Sequence, residues 1–204
     1  MTSSDQKGAI RVETLSGAAL QAALPALAML RINVFRAYPY LYDGTLDYEQ
    51  RYLEKFRSTA GSVIVAAFDG DRIVGCATAS PLLGHADEFA APFKAAGYDP
   101  ARVFYFGESV LDAAYRGRGI GHAFFDHREA AARAQGGFSY LAFCGVVRPD
   151  NHPLKPRDYV PLDAFWTKRG FAKAEGLVAS FDWKDIDQPA ETSKPMQFWI
   201  KKIA

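Results

Sequence analysis

The sequence contains few cysteines, no excess of charge of one sign and no long apolar run. Its two cysteines, Cys76 and Cys144, do not form a C-x-x-C pair, so a structural zinc site of that type is excluded and no metal is expected. A disulfide between them stays open, although two isolated thiols are more typical of a reducing compartment. The first residues, MTSSDQKGAIRVE, contain no apolar segment of the kind found in signal peptides. These features predict a cytoplasmic protein.

Charge and hydropathy exclude two further classes of protein. The chain has 24 Lys and Arg against 23 Asp and Glu, and this balance disfavours a nucleic-acid or membrane-surface partner. No apolar run approaches the ~20 residues that span a bilayer, so no membrane partner is expected. Hydrophobic residues make up 49% of the 204 residues, which is enough for one core. We expect a flexible N-terminus at residues 1–8 and a single domain over residues 9–204.

Hydrophobic periodicity predicts a chain that mixes strands and helices. The strands are predicted at residues 9–15, 62–68, 72–80, 102–111, 138–147, 171–183 and 196–203, and the helices at 18–36, 47–57, 87–96, 119–135 and 161–169. Ser16 is expected to cap the first helix, and Pro25 is expected to break or restart it. The strand–helix–strand unit at residues 102–147 predicts a parallel pair, and the hairpins elsewhere predict antiparallel pairs. The fold class is therefore mixed α/β around one mostly antiparallel sheet.

The segment YRGRGIGHA places three glycines and two arginines between a predicted strand and a predicted helix. Glycines allow positive φ and close approach of a ligand, and free N–H groups at a helix start bind anions. Arg116 and Arg118 add donors suited to phosphate oxygens. The dinucleotide pattern G-x-G-x-x-G fails because His122 or Phe124 would occupy the third glycine position, and no G-x-x-x-x-G-K-[ST] string occurs. Residues 116–121 do fit R-x-x-G-x-G, a pattern for the pyrophosphate of coenzyme A.

These residues resemble the GNAT superfamily of acyl-CoA-dependent N-acyltransferases. Residues 106–134, FGESVLDAAYRGRGIGHAFFDHREAAARA, look like the family's central motif, and residues 164–171, AFWTKRGF, resemble its helix and turn ending in Gly-Phe. The order of predicted elements over residues 9–203 also fits the family. Residues 39–53 look like one uncharacterised branch of it, which leaves the acceptor open. The resemblance implies that the parallel strands are splayed and that acetyl-CoA, the expected cofactor, lies between them.

The resemblance assigns acetyl-CoA to three groups of residues. Its pantetheine arm would pair with backbone groups of Ser109, Val110 and Leu111, whose N–H groups would also polarise the thioester carbonyl and stabilise the oxyanion. Its pyrophosphate would lie on Arg116, Gly117, Arg118, Gly119, Ile120 and Gly121, with a further contact from His122. Asn151 occupies a loop in which family members often carry a cofactor-contacting Asn.

Direct transfer of an acetyl group to an amine needs a base for the amine and an acid for the leaving thiolate. Glu108, in an otherwise apolar strand, is the predicted base, and a Glu that faces the edge of the sheet or is paired with an arginine is the alternative. The tyrosine that serves as acid in the family aligns with Trp166, whose indole is not a useful acid. Tyr159 is therefore the predicted acid, with Tyr105 or a water as alternatives. Cys144 is interpreted as a small buried residue, because nothing in the sequence activates its thiol.

The tyrosine-rich turn and the loop at residues 148–160 are predicted to form the acceptor site. Tyr38, Tyr40 and Tyr42 would line an aromatic pocket, with packing of the turn against a helix as the alternative. Asp43 would make that pocket partly anionic, whereas Arg148, with Lys155 and Arg157, would instead bind an acidic group of the acceptor, and the sequence leaves these two alternatives open. The predicted function is N-acetylation of a small-molecule primary amine by a monomer or a homodimer, and the last strand is available to pair across a dimer. Two other functions stay open: a non-catalytic acyl-CoA-binding or sensing protein, and an enzyme that acetylates a partner protein's Lys or N-terminus.

Overall fold

The computed structural model describes residues 9–85 and 87–203, so the expected flexible end at residues 1–8 lies outside the described residues. The strands are β1 (Arg11–Leu15), β2 (Val63–Asp69), β3 (Arg72–Pro81), β4 (Val103–Leu111), β5 (Tyr140–Val146), β6 (Ala172–Lys184) and β7 (Glu191–Lys202). The helices are α1 (Gly17–Phe35), α2 (Leu46–Arg57), α3 (Asp87–Ala95), α4 (Ile120–Gln135) and α5 (Asp163–Lys168). The predicted elements are all present, and β7 begins five residues earlier than the predicted final strand.

All seven strands form one sheet in the order β1-β2-β3-β4-β5-β7-β6. Neighbouring strands are antiparallel except for β4 and β5, which are parallel and joined through α4. This arrangement confirms the predicted mixed α/β class. Strand β7 lies between β5 and β6, so both of its edges are already paired within the chain. The expectation that the last strand pairs across a dimer is therefore wrong.

Helices cover both faces of this sheet. On one face, Phe124 of α4 packs with Phe104 in a large apolar cluster. On the other face, Leu27 of α1 packs with Val110 beneath both α1 and α2. Phe93 of α3 extends this second layer over the parallel strands. The segment between β4 and α4 therefore lies at one end of the sheet, between the two layers.

Helix α1 departs from two sequence-based expectations. It runs through Pro25 without a break, because Pro25 is exposed while the opposite face of the helix is buried. Burial of that apolar face outweighs the ~3 kcal/mol that an interior proline costs. Ser16 lies at the N-cap position, but its side chain makes no capping hydrogen bond. The helix therefore begins after the extended backbone of Ser16 without a hydrogen bond from the Ser16 side chain.

Helix α1 also bears on the expected absence of a membrane-spanning segment. It is the one helix in the described residues that is long and apolar enough to cross a bilayer, with 19 residues and a mean hydropathy of 1.5. The sequence-based statement that no run approaches this length is therefore too strong. In the structure the helix packs on α2 and on the sheet, and Arg31 on its buried face forms ion pairs within the protein. Those contacts are the ones expected of a core helix.

Candidate active site

Strands β4 and β5 pair over only part of their length. Their parallel register joins Val103–Tyr105 to residues 140–142 and ends there. Beyond that point β4 continues to Leu111 against β3, while β5 continues to Val146 against β7. The two strands therefore leave a gap whose β4 edge has unpaired backbone groups, and β4 leads directly into the glycine-rich segment.

The direction of the N–H groups along β4 corrects one predicted contact. The N–H of Glu108 donates to Thr78 Oγ1 over 3.2 Å, and the N–H of Asp112 donates to the carbonyl of Val74 in β3 over 2.9 Å. Because N–H direction alternates along a strand, the N–H of Val110 also faces β3. Its side chain is fully buried as well. Val110 is therefore not placed to contact a ligand in the gap.

The flanking residues of β4 have the opposite orientation. By the same alternation, the N–H groups of Ser109 and Leu111 face the gap. The register between β3 and β4 shifts at Thr78, and this bulge sets which groups face outward. The orientation of these N–H groups is compatible with the predicted backbone contacts of Ser109 and Leu111 with the pantetheine arm, and these contacts stay predictions.

Two glycines at the start of α4 adopt the left-handed backbone conformation that other residues disfavour. Gly117 has φ +76° and Gly119, at the N-cap, has φ +79°. A Cβ placed on either residue would meet no heavy atom within 4 Å, so both face open space. In the described chain, the N–H groups of residues 117–122 have no backbone acceptor and α4 has no side-chain cap. This helix start therefore offers free donors and the positive end of the helix dipole to an anion.

The side chains around this turn fit a diphosphate as well. Arg116 is exposed, while Arg118 is folded against the ring of Tyr115 and donates to the carbonyl of Ala114 over 3.0 Å. The exposed ring of His122 lies edge-on to Phe165, with 4.9 Å between the ring centroids. A Cβ on Gly121 would reach the ring of Phe165 at 3.4 Å. Gly121 thus also allows close packing of α4 against α5, and Ile120 offers only its backbone because its side chain is buried.

Glu108 is a buried, paired carboxylate on the face of β4 that is covered by α1 and α2. Its carboxylate contacts Arg31 of α1, whose guanidinium also donates to Glu49 of α2. The hydroxyl of Tyr52 donates to Glu108 Oε2 over 3.3 Å. The alternative of an arginine-paired Glu is thus the observed one, and the pairing leaves the assignment of Glu108 as base a prediction.

Two buried arginines flank this carboxylate. Burial alone would lower the pKa of Arg31, but the nearby Glu108, Tyr52 and Glu49 outweigh it and raise that pKa above its ordinary value. On the other face, Arg128 donates to the carbonyl oxygens of Thr78 and Glu108 and to Ser109 Oγ over 2.9 Å. Burial lowers the pKa of Arg128 to about 9. Arg128 therefore satisfies the backbone groups that the bulge leaves unpaired.

Three predicted tyrosines gather on the same side of the sheet as Glu108. The ring of Tyr38 lies edge-on to Tyr159, with 4.7 Å between the centroids. Tyr40 packs against Phe35, and burial raises its pKa, with further contributions from Cys144, Glu108 and Tyr159. Burial, then Tyr38, also raises the pKa of Tyr159. Both phenols therefore stay protonated near neutral pH, so Tyr159 has a proton to give.

Arg148 and Tyr42 have internal partners. The Arg148 guanidinium donates to the carbonyls of Pro39 and Tyr40 and forms a two-armed ion pair with Asp185, at 2.6 and 2.9 Å. This buried side chain is occupied in holding the turn against β6, so direct binding of an acidic acceptor group, as predicted, is not its observed role. Tyr42 pairs with Asp185 in an isolated bridge. Burial, followed by Glu49, raises the pKa of Tyr42.

Three candidate residues remain: Trp166, Cys144 and Asn151. Trp166 packs edge-on against Phe143 and Trp199, so it is a structural residue, as its indole chemistry implied. Cys144 is a free, buried thiol 3.0 Å from the hydroxyl of Tyr105, and burial raises its pKa to about 12. A reactive thiolate is therefore disfavoured, and no disulfide to Cys76 exists. Asn151 is exposed on the loop after β5, and its cofactor contact stays a prediction.

Five polar residues around Glu108 were not predicted from the sequence. Three are buried, Arg31, Glu49 and Arg128, and two are half-buried, Tyr52 and His85. A signal for two of them was present, because Arg31 continues the apolar stripe of α1 and Glu49 lies one turn before Leu53 on the apolar side of α2. A charged residue on the buried stripe of an amphipathic helix needs a partner, and that need could have identified the cluster.

Comparison with known proteins gives one family. The model of the acetyltransferase (GNAT) family matches residues 28–171, more than two thirds of the chain. That match includes α2, both parallel strands, the glycine-rich turn and the Gly-Phe turn. A comparison with curated proteins gave no match.

Solved structures share the fold at low sequence identity. A ribosomal-protein-alanine N-acetyltransferase from Brucella melitensis has a TM-score of 0.60 and 15% identity, with 95% of this chain and 99% of that chain covered. A GCN5-related N-acetyltransferase from Kribbella flavida has a TM-score of 0.58 and 19% identity, covering 95% and 98%. An acetyltransferase from Thermus thermophilus has a TM-score of 0.58 and 14% identity, covering 97% and 99%. At these identities the likeness is evidence for the fold alone.

Proposed function

The chain belongs to the acetyltransferase (GNAT) family, and from this premise we propose that it transfers an acetyl group from acetyl-CoA to the primary amine of a small molecule. The observation that carries the proposal is the gap between β4 and β5, which opens directly onto the free N–H groups at the start of α4. Such a gap accommodates an extended thioester arm, and such a helix start accommodates its diphosphate.

The residues of the gap divide the binding of acetyl-CoA between them. The N–H groups of Ser109 and Leu111 would pair with the arm and polarise the thioester carbonyl. The diphosphate would be held by the backbone at residues 117–121, with Arg116 and Arg118 adding charge once Arg118 leaves Tyr115. His122 and Asn151 are exposed at the same end of the sheet and would add contacts.

Proton transfer is assigned to two side chains. Glu108 accepts the proton of the attacking amine, so that the nitrogen forms its bond to the acetyl carbon as the carbon–sulfur bond breaks. The electron pair of that bond leaves on the coenzyme A sulfur, and Tyr159 supplies the proton that converts the thiolate to the thiol. Glu108 then gives its new proton to water and Tyr159 takes one from water, so both side chains return to their starting protonation states.

A small acceptor is supported by the closure of the turn at residues 37–45. This turn is tied to the end of β6 by Arg148–Asp185, by the Tyr42–Asp185 bridge and by a 2.7 Å hydrogen bond from the N–H of Ile186 to the carbonyl of Leu41. The rings of Tyr38 and Tyr40 pack against Tyr159 and Phe35. Burial raises the pKa of the Tyr40 phenol, and Glu108 is near enough to raise it further. Aromatic rings near a carboxylate suit an amine attached to a compact apolar group.

The test is release of free coenzyme A thiol from acetyl-CoA in the presence of single amines. Phenethylamine, spermidine and free alanine represent small acceptors, and a peptide with an N-terminal alanine and an internal lysine represents protein acceptors. We expect turnover with a small amine. Turnover with the peptide alone would show that the acceptor is a protein and not a small amine. Binding of acetyl-CoA without turnover of any of these acceptors would indicate a sensing protein.

We further propose that the reaction takes place in the cytoplasm, as a monomer or homodimer without nucleic-acid or membrane partners. Two buried free thiols and a balanced net charge of +1 support this setting. Fractionation of the producing cells together with light scattering of the purified protein checks both statements.

A further inference from the structure

Three charged side chains meet in the interior beneath α1 and α2. Arg31 contacts both Glu49 and Glu108, and the exposed fractions of the three side chains are 8%, 0% and 7%. One cation and two anions leave this cluster with a net negative charge. Burial of an unbalanced charge costs free energy, so a cluster of this kind indicates a purpose beyond stability.

The cluster includes Glu108, the carboxylate that we propose as the base. A carboxylate paired with an arginine alone is a poor base, because the cation favours its ionised form. Glu49 shares the same guanidinium, and its negative charge offsets part of that effect. The Tyr52 hydroxyl, at 3.3 Å, and the ring of Tyr52 under the Arg31 guanidinium, at 4.4 Å, fix the orientation of both groups.

We propose that Arg31 and Glu49 are positioning residues that tune Glu108: Arg31 holds its carboxylate toward the acceptor, and Glu49 keeps it basic enough to take the amine's proton. This inference rests on the proposed function, because the proposed acetyl transfer needs a base that takes the amine's proton. Neither residue touches the reacting atoms, and both act through the orientation and charge of Glu108.

Other titratable groups also face Glu108 from the neighbouring elements. They are Tyr40, Tyr52, Cys76, His85 and Arg128. Burial raises the pKa of each phenol and of the thiol and lowers that of His85 to about 4, so these four groups are neutral around pH 7. Arg128 donates to the carbonyl of Glu108 and not to its carboxylate. Arg31 is therefore the charged side chain in contact with the carboxylate, and Glu49 acts on it through Arg31. The charge of Arg128 also acts on Glu108 but is the same in every variant compared below.

The test is the pH dependence of kcat/KM with phenethylamine, or with whichever amine of the panel is turned over. Glu49→Gln removes the offsetting charge, so the acidic limb should move to lower pH by about one to two units and the plateau should fall. Arg31→Met removes the cation, so the limb should move to higher pH by a similar amount. The amine's own titration is common to all variants and cancels in the comparison.

The double variant Arg31→Met/Glu49→Leu replaces both charged side chains with apolar ones. It leaves neither Arg31 nor Glu49 as an unpaired buried charge, so it should fold even if a single variant does not. The acidic limb of its pH profile should lie close to that of the wild type. Glu54→Gln is the matched control, since it makes the same change on α2 at an exposed carboxylate paired with Arg57. Its profile should equal the wild type.

Two outcomes separate this inference from the proposed function. If Glu108→Gln leaves turnover and its acidic limb unchanged, the role of Glu108 fails and this inference fails with it. If Glu108→Gln abolishes the limb while Glu49→Gln and the double variant lower only the melting temperature, Arg31 and Glu49 are structural and this inference alone is overturned. Opposite shifts in the two single variants support it.

Discussion

Replacement of Gly119 by Ala should weaken binding of acetyl-CoA far more than it weakens the fold. Gly119 has φ +79°, and an L-residue in the left-handed region costs about 1–2 kcal/mol. About half a kcal/mol returns because Ala restricts the unfolded chain more than Gly does. The net loss of about 1 kcal/mol corresponds to a melting temperature lower by about 2–4 °C in a chain of this size.

The effect on binding has a different origin. A Cβ at Gly119 meets no protein atom within 4 Å and so projects into open space at the start of α4, where we propose that the diphosphate binds. There it would displace a diphosphate from those donors, and loss of about two hydrogen bonds to a charged group should raise the Kd of acetyl-CoA at least about tenfold. Titration calorimetry gives that constant, and thermal unfolding gives the stability.

Gly70 provides the matched control. It lies in the β2–β3 turn with φ +59°, and a Cβ there likewise meets nothing within 4 Å. Gly70→Ala should therefore lower the melting temperature to a similar extent and leave the Kd unchanged. Equal affinities for acetyl-CoA in the wild type and the Gly119 variant would refute the assignment of this turn to the diphosphate.

Three further predictions concern the base, the turn and the pH dependence of stability. Glu108→Gln should lower kcat by about 10²–10³ in the thiol-release assay and leave the Kd of acetyl-CoA unchanged. Arg148→Met should cost about 3 kcal/mol in urea unfolding because it leaves Asp185 buried with only Lys194 as a partner, and it should raise KM for the amine without affecting acetyl-CoA. Burial lowers the pKa of His85 to about 4, below its unfolded value of about 6.5, so the unfolded chain binds the extra proton and stability falls as pH drops through that window. The wild type should thus lose about 2 kcal/mol between pH 7 and pH 5 through this group, and a His85→Gln variant that loses stability equally steeply would contradict the assignment.

The elements of the fold and the glycine-rich turn were predictable because their signals are local. Three glycines, two arginines and a strand-to-helix transition lie within a few residues, and the turn adopts the positive φ values that those glycines permit. Local reasoning failed at Pro25, where packing of α1 on the sheet outweighs the cost of an interior proline. Local signals thus specify the turn, and tertiary packing decides the helix.

The surroundings of Glu108 were not predictable in the same way. Arg31 and Glu49 are 18 residues apart, and Tyr52 and Glu108 are 56 apart, so their contacts depend on how α1 and α2 pack over β4. The assignment of Val110 failed for a related reason. Which N–H groups of β4 face the gap depends on its register with β3 and on the bulge at Thr78, and neither is encoded within β4 itself.

The most direct test of the account is backbone amide mapping by NMR during titration with acetyl-CoA. We expect the largest shifts at Ser109, Leu111 and residues 117–122, with a smaller change at Val110 because its N–H faces β3. Saturable shifts confined to these segments would support the gap between β4 and β5 as the binding site. Binding with shifts elsewhere on the sheet, or no binding at millimolar acetyl-CoA, would contradict it.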